Sequence, residues 1–266
     1  MPELPEVETI KLELEQKISG QKISGMIVNN AKVIKEPAEK EFKKGILGAS
    51  ITKILRRAKV LILELSNGKS LVIHLRMTGQ LVYPGDGKRS RVSFRLGNGK
   101  LLDFNDQRLF GELRLVDSWQ DIKFIKELGP EPFGITFKQL KEMLKSKKTK
   151  IKPLLMDQTF ISGIGNLYAS EILFGAKVDP LRQAQSLNDK EIKAVLKEAK
   201  AVLASAIDHG GSSVDDYVRL SGKPGGYAAY HKVYARAGKP CPVCKGLIKR
   251  IALGGRGTFY CPKCQK

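Results

Sequence analysis

The pentapeptide Leu128-Gly-Pro-Glu-Pro132 divides the chain into two kinds of sequence. Proline removes a backbone donor and pushes the residue before it out of helical geometry, so neither a helix nor a central strand is expected to cross this point. On its N-terminal side, short apolar or alternating runs recur: Ile23–Val28, Ile46–Leu55, Val60–Leu65, Leu71–Leu75, Val92–Leu96, Lys100–Phe104 and Glu112–Val116. Ser66-Asn-Gly68, Pro84-Gly-Asp-Gly87 and Gly97-Asn-Gly99 punctuate them, the pattern of an antiparallel sandwich. One helix precedes the strands. Val7, Ile10, Leu14 and Ile18 recur at spacings of three and four, and Gly20 stops the run.

Beyond the prolines the periodicity turns helical. Asn188 with Glu191 makes a capping box, and Ile192, Val195, Leu196, Ala199, Val202, Leu203 and Ala206 form one stripe ending at Gly210-Gly211. Ser162-Gly-Ile-Gly-Asn166 opens a further helical stretch, Leu167–Phe174. Amides at a helix start attract phosphate, so Asn166 and its glycines could hold a nucleic-acid backbone; glycines also serve plain tight packing. The whole reads as an α+β chain.

Composition narrows the function. In 266 residues there are 47 Lys and Arg against 27 Asp and Glu, a formal charge of +20, with 42% hydrophobic residues. So apolar a chain is not a disordered polycation, and it is long enough for one large or two modest cores. Such a positive excess calls for a polyanion, although composition alone does not separate DNA, RNA and an acidic membrane surface. No run reaches the roughly 18 to 20 apolar residues of a membrane span, and the opening residues lack the form of an export signal. A cytoplasmic protein without a membrane partner is expected.

All four cysteines lie near the end, as Cys241-Pro-Val-Cys244 and Cys261-Pro-Lys-Cys264. Two such knuckles can supply four thiolates to one structural Zn2+, leaving no open position for substrate. A reducing compartment disfavours the alternative of disulfides. Between the knuckles, Leu247–Ile251 and Thr258–Tyr260 read as a hairpin whose glycine-rich turn carries Arg256 at its tip, either a phosphate reader or an ordinary solvated residue.

With only His74, His209 and His231, the chain is poor in imidazole bases, and no Ser-His-Asp pattern is present. The unusual group is the terminus. Pro2 is small enough for Met1 to be trimmed, which would expose a secondary amine. Alpha-amino groups titrate near ~8 and lysine near ~10.4, so the terminus offers roughly two to three orders of magnitude more neutral amine than lysine at neutral pH. Condensed with a sugar aldehyde, it would give an iminium ion that acidifies the adjacent carbon, and Glu3 could shuttle protons to the opening sugar ring. The competing interpretation is that Pro2-Glu-Leu-Pro-Glu6 is simply a favourable helix start.

These residues carry a resemblance. Met1-Pro-Glu-Leu-Pro-Glu-Val-Glu-Thr9 resembles the opening of formamidopyrimidine-DNA glycosylases. Arg56-Arg-Ala-Lys59, His74-Leu-Arg-Met-Thr-Gly79, Leu128–Pro132, Ile151-Lys-Pro-Leu-Leu-Met-Asp157, Ser162–Ser170 and Thr258-Phe-Tyr-Cys-Pro-Lys-Cys264 follow in that family's order. The resemblance implies an N-terminal helix plus antiparallel β-sandwich in a catalytic domain, 1–132. A helix-two-turn-helix DNA-binding domain with a lesion-capping loop would follow at 133–234, and a zinc finger at 235–266. It implies a monomeric, bifunctional glycosylase and abasic-site lyase of base-excision repair. The substrate would be damaged double-stranded DNA, with the enzyme nucleoid-associated when bound. It would remove 8-oxoguanine and formamidopyrimidines and nick the strand by β,δ-elimination.

By the same resemblance Pro2 is the Schiff-base nucleophile, Glu3 the proton donor, Lys59 the lysine of β-elimination and Arg256 the arginine of δ-elimination. Met77, Arg108 and Phe110 fill the gap left by an extruded nucleotide, as extrusion physically requires. Arg89, Lys147, Lys152 and Asn166 hold the DNA. Arg219–Ala228, with Gly222, Gly225, Gly226 and Tyr227, forms a mobile lid over the lesion. Three positions depart from the family pattern. Leu109 replaces a basic residue, Arg89 replaces a histidine, and Arg76 stands where glycine is common. Two rival readings are a relative of endonuclease VIII, preferring oxidised pyrimidines, and a silent binder of damaged DNA.

Overall fold

The computed structural model of the chain describes residues 1–214 and 216–266. It divides into two compact units, residues 1–126 with 207–228 and residues 127–206 with 229–266. The segment after the long helix, residues 207–228, is thus grouped with the N-terminal unit.

The first unit starts with helix α1 (Leu4–Ile18), in which Leu4, Val7, Ile10, Leu14 and Ile18 are fully buried on one stripe. Gly20, at φ +76°, turns the chain out as expected of a glycine stop. There follow β1 (Ile23–Val28), β2 (Ile34–Glu36), helix α2 (Glu39–Ile46), β3 (Ile51–Arg57), β4 (Val60–Leu65) and β5 (Ser70–His74). Next come β6 (Gly79–Gly85), β7 (Val92–Leu96), β8 (Leu101–Asp106), β9 (Glu112–Val116) and the short helix α3 (Lys123–Lys126).

The strands form a four-stranded sheet, β1-β7-β8-β6, and a five-stranded sheet, β2-β9-β5-β4-β3. Every pair is antiparallel except β2 with β9, which is parallel. Both sheets contribute to one apolar core with α1, from Phe94 and Phe104 on one side to Leu63 and Ile73 on the other. Each such side chain contributes about 1.5–3 kcal/mol by leaving water.

Two expectations are corrected here. Ile46 does not begin a strand: it ends α2, where Phe42 and Ile46 bury one face of an otherwise lysine-rich helix, and the strand starts at Ile51. Pro84 and Gly85 lie at the end of β6 rather than in the turn. The glycines and proline of β6 hid that strand from its sequence pattern.

The second unit holds α4 (Phe137–Leu144), α5 (Ile151–Met156), α6 (Asn166–Gly175) and most of α7 (Asp189–Asp208), followed by the hairpin β10 (Lys249–Leu253) and β11 (Arg256–Tyr260). At the start of α7 the Glu191 N–H donates to Asn188 Oδ1 at 3.0 Å and the Asn188 N–H donates to Glu191 Oε2 at 2.8 Å, the reciprocal capping box. Ile192, Val195, Ala199, Leu203 and Ala206 are buried; Leu196 and Val202 flank them half-buried. Among the described residues, no helix is long and apolar enough to cross a membrane.

Candidate active site

The N-terminus is held by a carboxylate rather than left to fray. Pro2 and Glu3 are buried, while Met1 is 43% exposed. Glu6, 3% exposed, accepts the Glu3 N–H on Oε2 and the Ser212 N–H on Oε1, each at 2.8 Å. One buried side chain thus fixes the first turn of α1 and the turn that follows α7. Such charge-assisted bonds are roughly twice as strong as neutral ones. The bond to Glu3 is the N3 half of a capping box and is local, whereas the bond to Ser212 spans 206 positions and has no sequence signature.

Lys59 lies in the same unit, 6% exposed, at the tight turn between β3 and β4. Arg56 Nη1 donates to the carbonyl of Ala58 at 3.0 Å and Arg56 Nε donates to Glu8 Oε2, so α1 steadies that turn. Ala58 itself is left-handed, at φ +52°. His74 follows on β5 with Nδ1 accepting the Arg76 N–H at 3.1 Å. Burial, helped by the charges of Arg76 and Lys59, lowers its pKa to about 3, so the ring is neutral.

Met77 is half-buried, whereas Arg108 and Phe110 are exposed, Phe110 by 51%. The loop between β8 and β9 is organised by Asp106, which accepts the Thr78 hydroxyl, the Arg108 N–H at 3.2 Å and the Gly111 N–H at 2.6 Å. The Arg108 guanidinium stacks 4.7 Å from the Phe110 ring centre. The departures are accommodated locally. Leu109, at φ +57°, packs against the sandwich core. Arg76, at φ +54°, has its side chain on Glu112, with Nη2 2.6 Å from Oε1.

The expected lid is tied at its root. Arg219 Nε donates to Glu13 Oε1 at 2.6 Å, the Leu220 N–H donates to Glu13 Oε2 at 2.8 Å, and Leu220 is fully buried. Gly225 lies so close to the carbonyls of Gly210 and Gly211 that a Cβ would not fit, and its N–H donates to Ser213 Oγ at 2.9 Å. Tyr227 is buried, whereas Gly222, at φ +76°, and Gly226 are exposed. The segment thus has an exposed tip, residues 221–224, on a base held by hydrogen bonds.

In the second unit, Gln158 shapes the Ser162–Asn166 loop: its Oε1 accepts the Gly163 N–H at 2.9 Å and its Nε2 donates to the Ile164 carbonyl at 2.7 Å. Lys152 is fully buried, and its Nζ donates to Asn166 Oδ1 at 2.6 Å, Thr258 Oγ1 at 2.8 Å and the Gly257 carbonyl at 3.3 Å. The lysine therefore joins the start of α6 to the hairpin. Lys147 is exposed. Glu171 on α6 accepts the N–H groups of Lys232, Val233 and Tyr234 at 2.7–2.9 Å. Burial pushes its carboxyl above the usual range, against the pull of those donors. Gln158 and Glu171 act across sequence distance, and no motif flagged either.

Gly254 and Gly255, at φ +57° and +70°, form the two-residue hairpin turn. Arg256 is thus not at the tip but is the first residue of β11, paired with Leu253 and exposed. The Sγ atoms of Cys241, Cys244, Cys261 and Cys264 all lie within 4.8 Å of one another, with the Cys244–Cys261 pair at 3.4 Å and the Cys241–Cys264 pair at 3.8 Å. A tetrahedron with zinc–sulfur bonds of about 2.3 Å has edges of about 3.8 Å. The set fits one structural zinc, with sulfur in every position.

Three family models match successive parts of the chain: the formamidopyrimidine-DNA glycosylase N-terminal domain over residues 1–113, the H2TH domain of the same enzymes over 128–218, and the zinc finger found in FPG and IleRS over 238–266. A formamidopyrimidine-DNA glycosylase of Pelotomaculum thermopropionicum is 44% identical over all of this chain and 99% of its own length. The crystal structure of the Thermus thermophilus Fpg protein superposes with a TM-score of 0.90 at 36% identity, covering 99% of this chain and 98% of that one. A variant of Lactococcus lactis Fpg in complex with a Fapy-dG-containing DNA gives 0.91 at 34%, covering both chains fully. With its sandwich, buried Pro2-Glu3 start and four-cysteine finger, the chain belongs to the formamidopyrimidine-DNA glycosylase family of DNA-repair enzymes.

Proposed function

We propose that the protein is a bifunctional glycosylase and abasic-site lyase that removes 8-oxoguanine and formamidopyrimidines from double-stranded DNA. The observation that carries this is the pinned start of α1, where Glu6 holds the Glu3 N–H and Pro2 is buried beside it. Once Met1 is trimmed, the Pro2 nitrogen attacks the sugar carbon bearing the damaged base. The glycosidic bond breaks, the base leaves with its electron pair and a proton, and the sugar ring opens as its oxygen takes a proton from Glu3. The resulting iminium acidifies the neighbouring carbon. Loss of that proton expels the 3′ phosphate, further elimination expels the 5′ phosphate, and water releases Pro2. Lys59 serves the first elimination and Arg256 the second.

Met77, Arg108 and Phe110 occupy the space left by the extruded nucleotide, and the stacking of Arg108 on Phe110 presents both groups as one wedge. Lys147, Asn166 and Arg89 hold phosphates, with Lys152 acting through Asn166 rather than at the surface. Arg219, Gly222, Gly225, Gly226 and Tyr227 form the cover of the lesion, its exposed tip closing over the base. The enzyme works as a monomer in the cytoplasm, on the nucleoid when bound, through segments 1–132, 133–234 and 235–266. Cleavage of duplexes containing 8-oxoguanine opposite cytosine is expected to exceed cleavage of thymine-glycol duplexes; the reverse preference would overturn the substrate assignment.

A further inference from the structure

Helix α1 has a second face besides its apolar stripe. Glu6, Thr9 and Glu13 recur at spacings of three and four, which places them on one side of the helix. The segment after α7 lies in the same unit as α1 and meets these residues in order. Glu6 accepts the Ser212 N–H, Thr9 lies against the Tyr217 hydroxyl, and Glu13 takes Arg219 and Leu220. The Tyr217 hydroxyl donates onward to the Gly210 carbonyl at 3.0 Å.

The same segment touches β6, the edge strand of the four-stranded sheet, at two points. The Tyr83 N–H donates to the Leu220 carbonyl at 2.7 Å, and Gln80 Nε2 donates to the Asp216 carbonyl. Tyr217 and Leu220 enter the sandwich core. Burial of that kind is non-directional, so it sets how deep the segment sits and not the path on which the chain leaves it.

The path is set at Glu13. Its Oε1 accepts both Nε and Nη2 of Arg219, at 2.6 and 2.5 Å, and its Oε2 accepts the Leu220 N–H at 2.8 Å. Arg219 is the junction. Its side chain lies on α1, while its N–H donates to the Lys223 carbonyl and its carbonyl accepts the Gly222 N–H, each at 2.8 Å. Those two backbone bonds close the turn that carries the exposed tip, residues 221–224. Glu6 also serves the first turn of α1 through the Glu3 N–H, whereas Glu13, two turns further on, bonds to the cover segment.

We infer that Glu13 is a positioning residue for base excision, which sets, through Arg219, the turn whose tip covers an extruded base. The inference rests on the proposed glycosylase function and deepens it. A base is there to be covered only until the glycosidic bond breaks; an abasic site presents none. Glu13 therefore acts on release of the damaged base, and strand cleavage at an existing abasic site proceeds without it.

The test compares single-turnover release of 8-oxoguanine opposite cytosine with cleavage of the same duplex carrying a preformed abasic site, for the wild type, Glu13→Gln, Arg219→Ala and both together. Glu13→Gln keeps the shape and turns an NH2 group on one of the two partners. It is expected to slow base release about tenfold, the bias that one charged hydrogen bond gives to the covering geometry. Cleavage and borohydride trapping at the abasic site should stay within about twofold of the wild type. The combined variant should release base no more slowly than the slower single one, because both changes break one contact. Unchanged base release in Glu13→Gln, equal slowing on both duplexes, or losses that multiply in the combined variant would overturn the inference. If Glu13→Gln gives no cooperative melt, Arg219→Lys, which keeps the charge and loses the two-donor fork, is read in the same way. Slowing confined to base release then supports the inference, and any other result overturns it. A wild type that releases no 8-oxoguanine would sink the substrate reading itself, whereas an active wild type matched by Glu13→Gln on both duplexes would sink only the role of Glu13.

Discussion

The two ends of the chain are fixed by opposite means. At the N-terminus, α1 buries Leu4, Val7, Ile10, Leu14 and Ile18 completely in the sandwich core, and a buried carboxylate ties its first turn to backbone N–H groups. At the C-terminus, among the described residues, the hairpin sits in a small cluster of Phe174, Val233, Ile248 and Phe259 with the cysteines themselves. A finger of that size cannot offset its own ordering entropy by apolar burial, so four thiolates and a metal do so. The N-terminal end is therefore held by packing, the C-terminal end by coordination, and each should fail separately.

The largest expected effect follows from that separation. Structural zinc contributes about 10–16 kcal/mol to the folding of isolated finger peptides, so Cys241→Ala should lose the metal and unfold the hairpin while the sandwich keeps its melting transition. Metal content and circular dichroism check this; retained zinc with normal DNA affinity would remove the contrast. Glu6→Gln should act at the other end. An amide oxygen satisfies one of the two backbone donors and leaves the second facing an NH2 group, a cost of about 1–3 kcal/mol. Urea denaturation should show that loss, with slower covalent trapping and unchanged zinc content.

Much of this contrast was legible in sequence. The stripe of α1, the Asn188–Glu191 box and the paired CxxC knuckles are local patterns whose physics is complete within a few residues. The Glu6–Ser212, Asp106–Gly111, Gln158–Gly163 and Glu171–Val233 bonds are mostly tertiary or loop-specific. Glu6 and Ser212 lie 206 positions apart, and a carboxylate has no signature that announces a distant amide. Strand β6 was hidden because Gly79, Pro84 and Gly85 look like turn residues until a partner strand supplies the register. Lys152 looked like a surface cation because burial of an ammonium depends on acceptors from α6 and β11, which no window on its own helix contains.

A smaller effect at neutral pH concerns His74. Its folded pKa, about 3, lies below the ordinary 6.5 because burial and two neighbouring cations disfavour the imidazolium. The unfolded chain therefore binds the extra proton first, and stability present above pH 6.5 is lost as pH falls toward the folded value. Denaturation midpoints measured from about pH 7 to about pH 4 should fall, and His74→Asn should flatten that dependence; an equal fall in the variant would assign it to other groups.

The proposed chemistry depends most on a trimmed Pro2 amine. Borohydride reduction during turnover of an 8-oxoguanine duplex, followed by peptide mass spectrometry, should find the DNA fragment attached to an N-terminal proline. Pro2→Gly should still trap in part, since a primary amine remains, and one residue added before Pro2 should abolish trapping. Active enzyme that retains Met1, or an adduct mapped to a lysine, would contradict it.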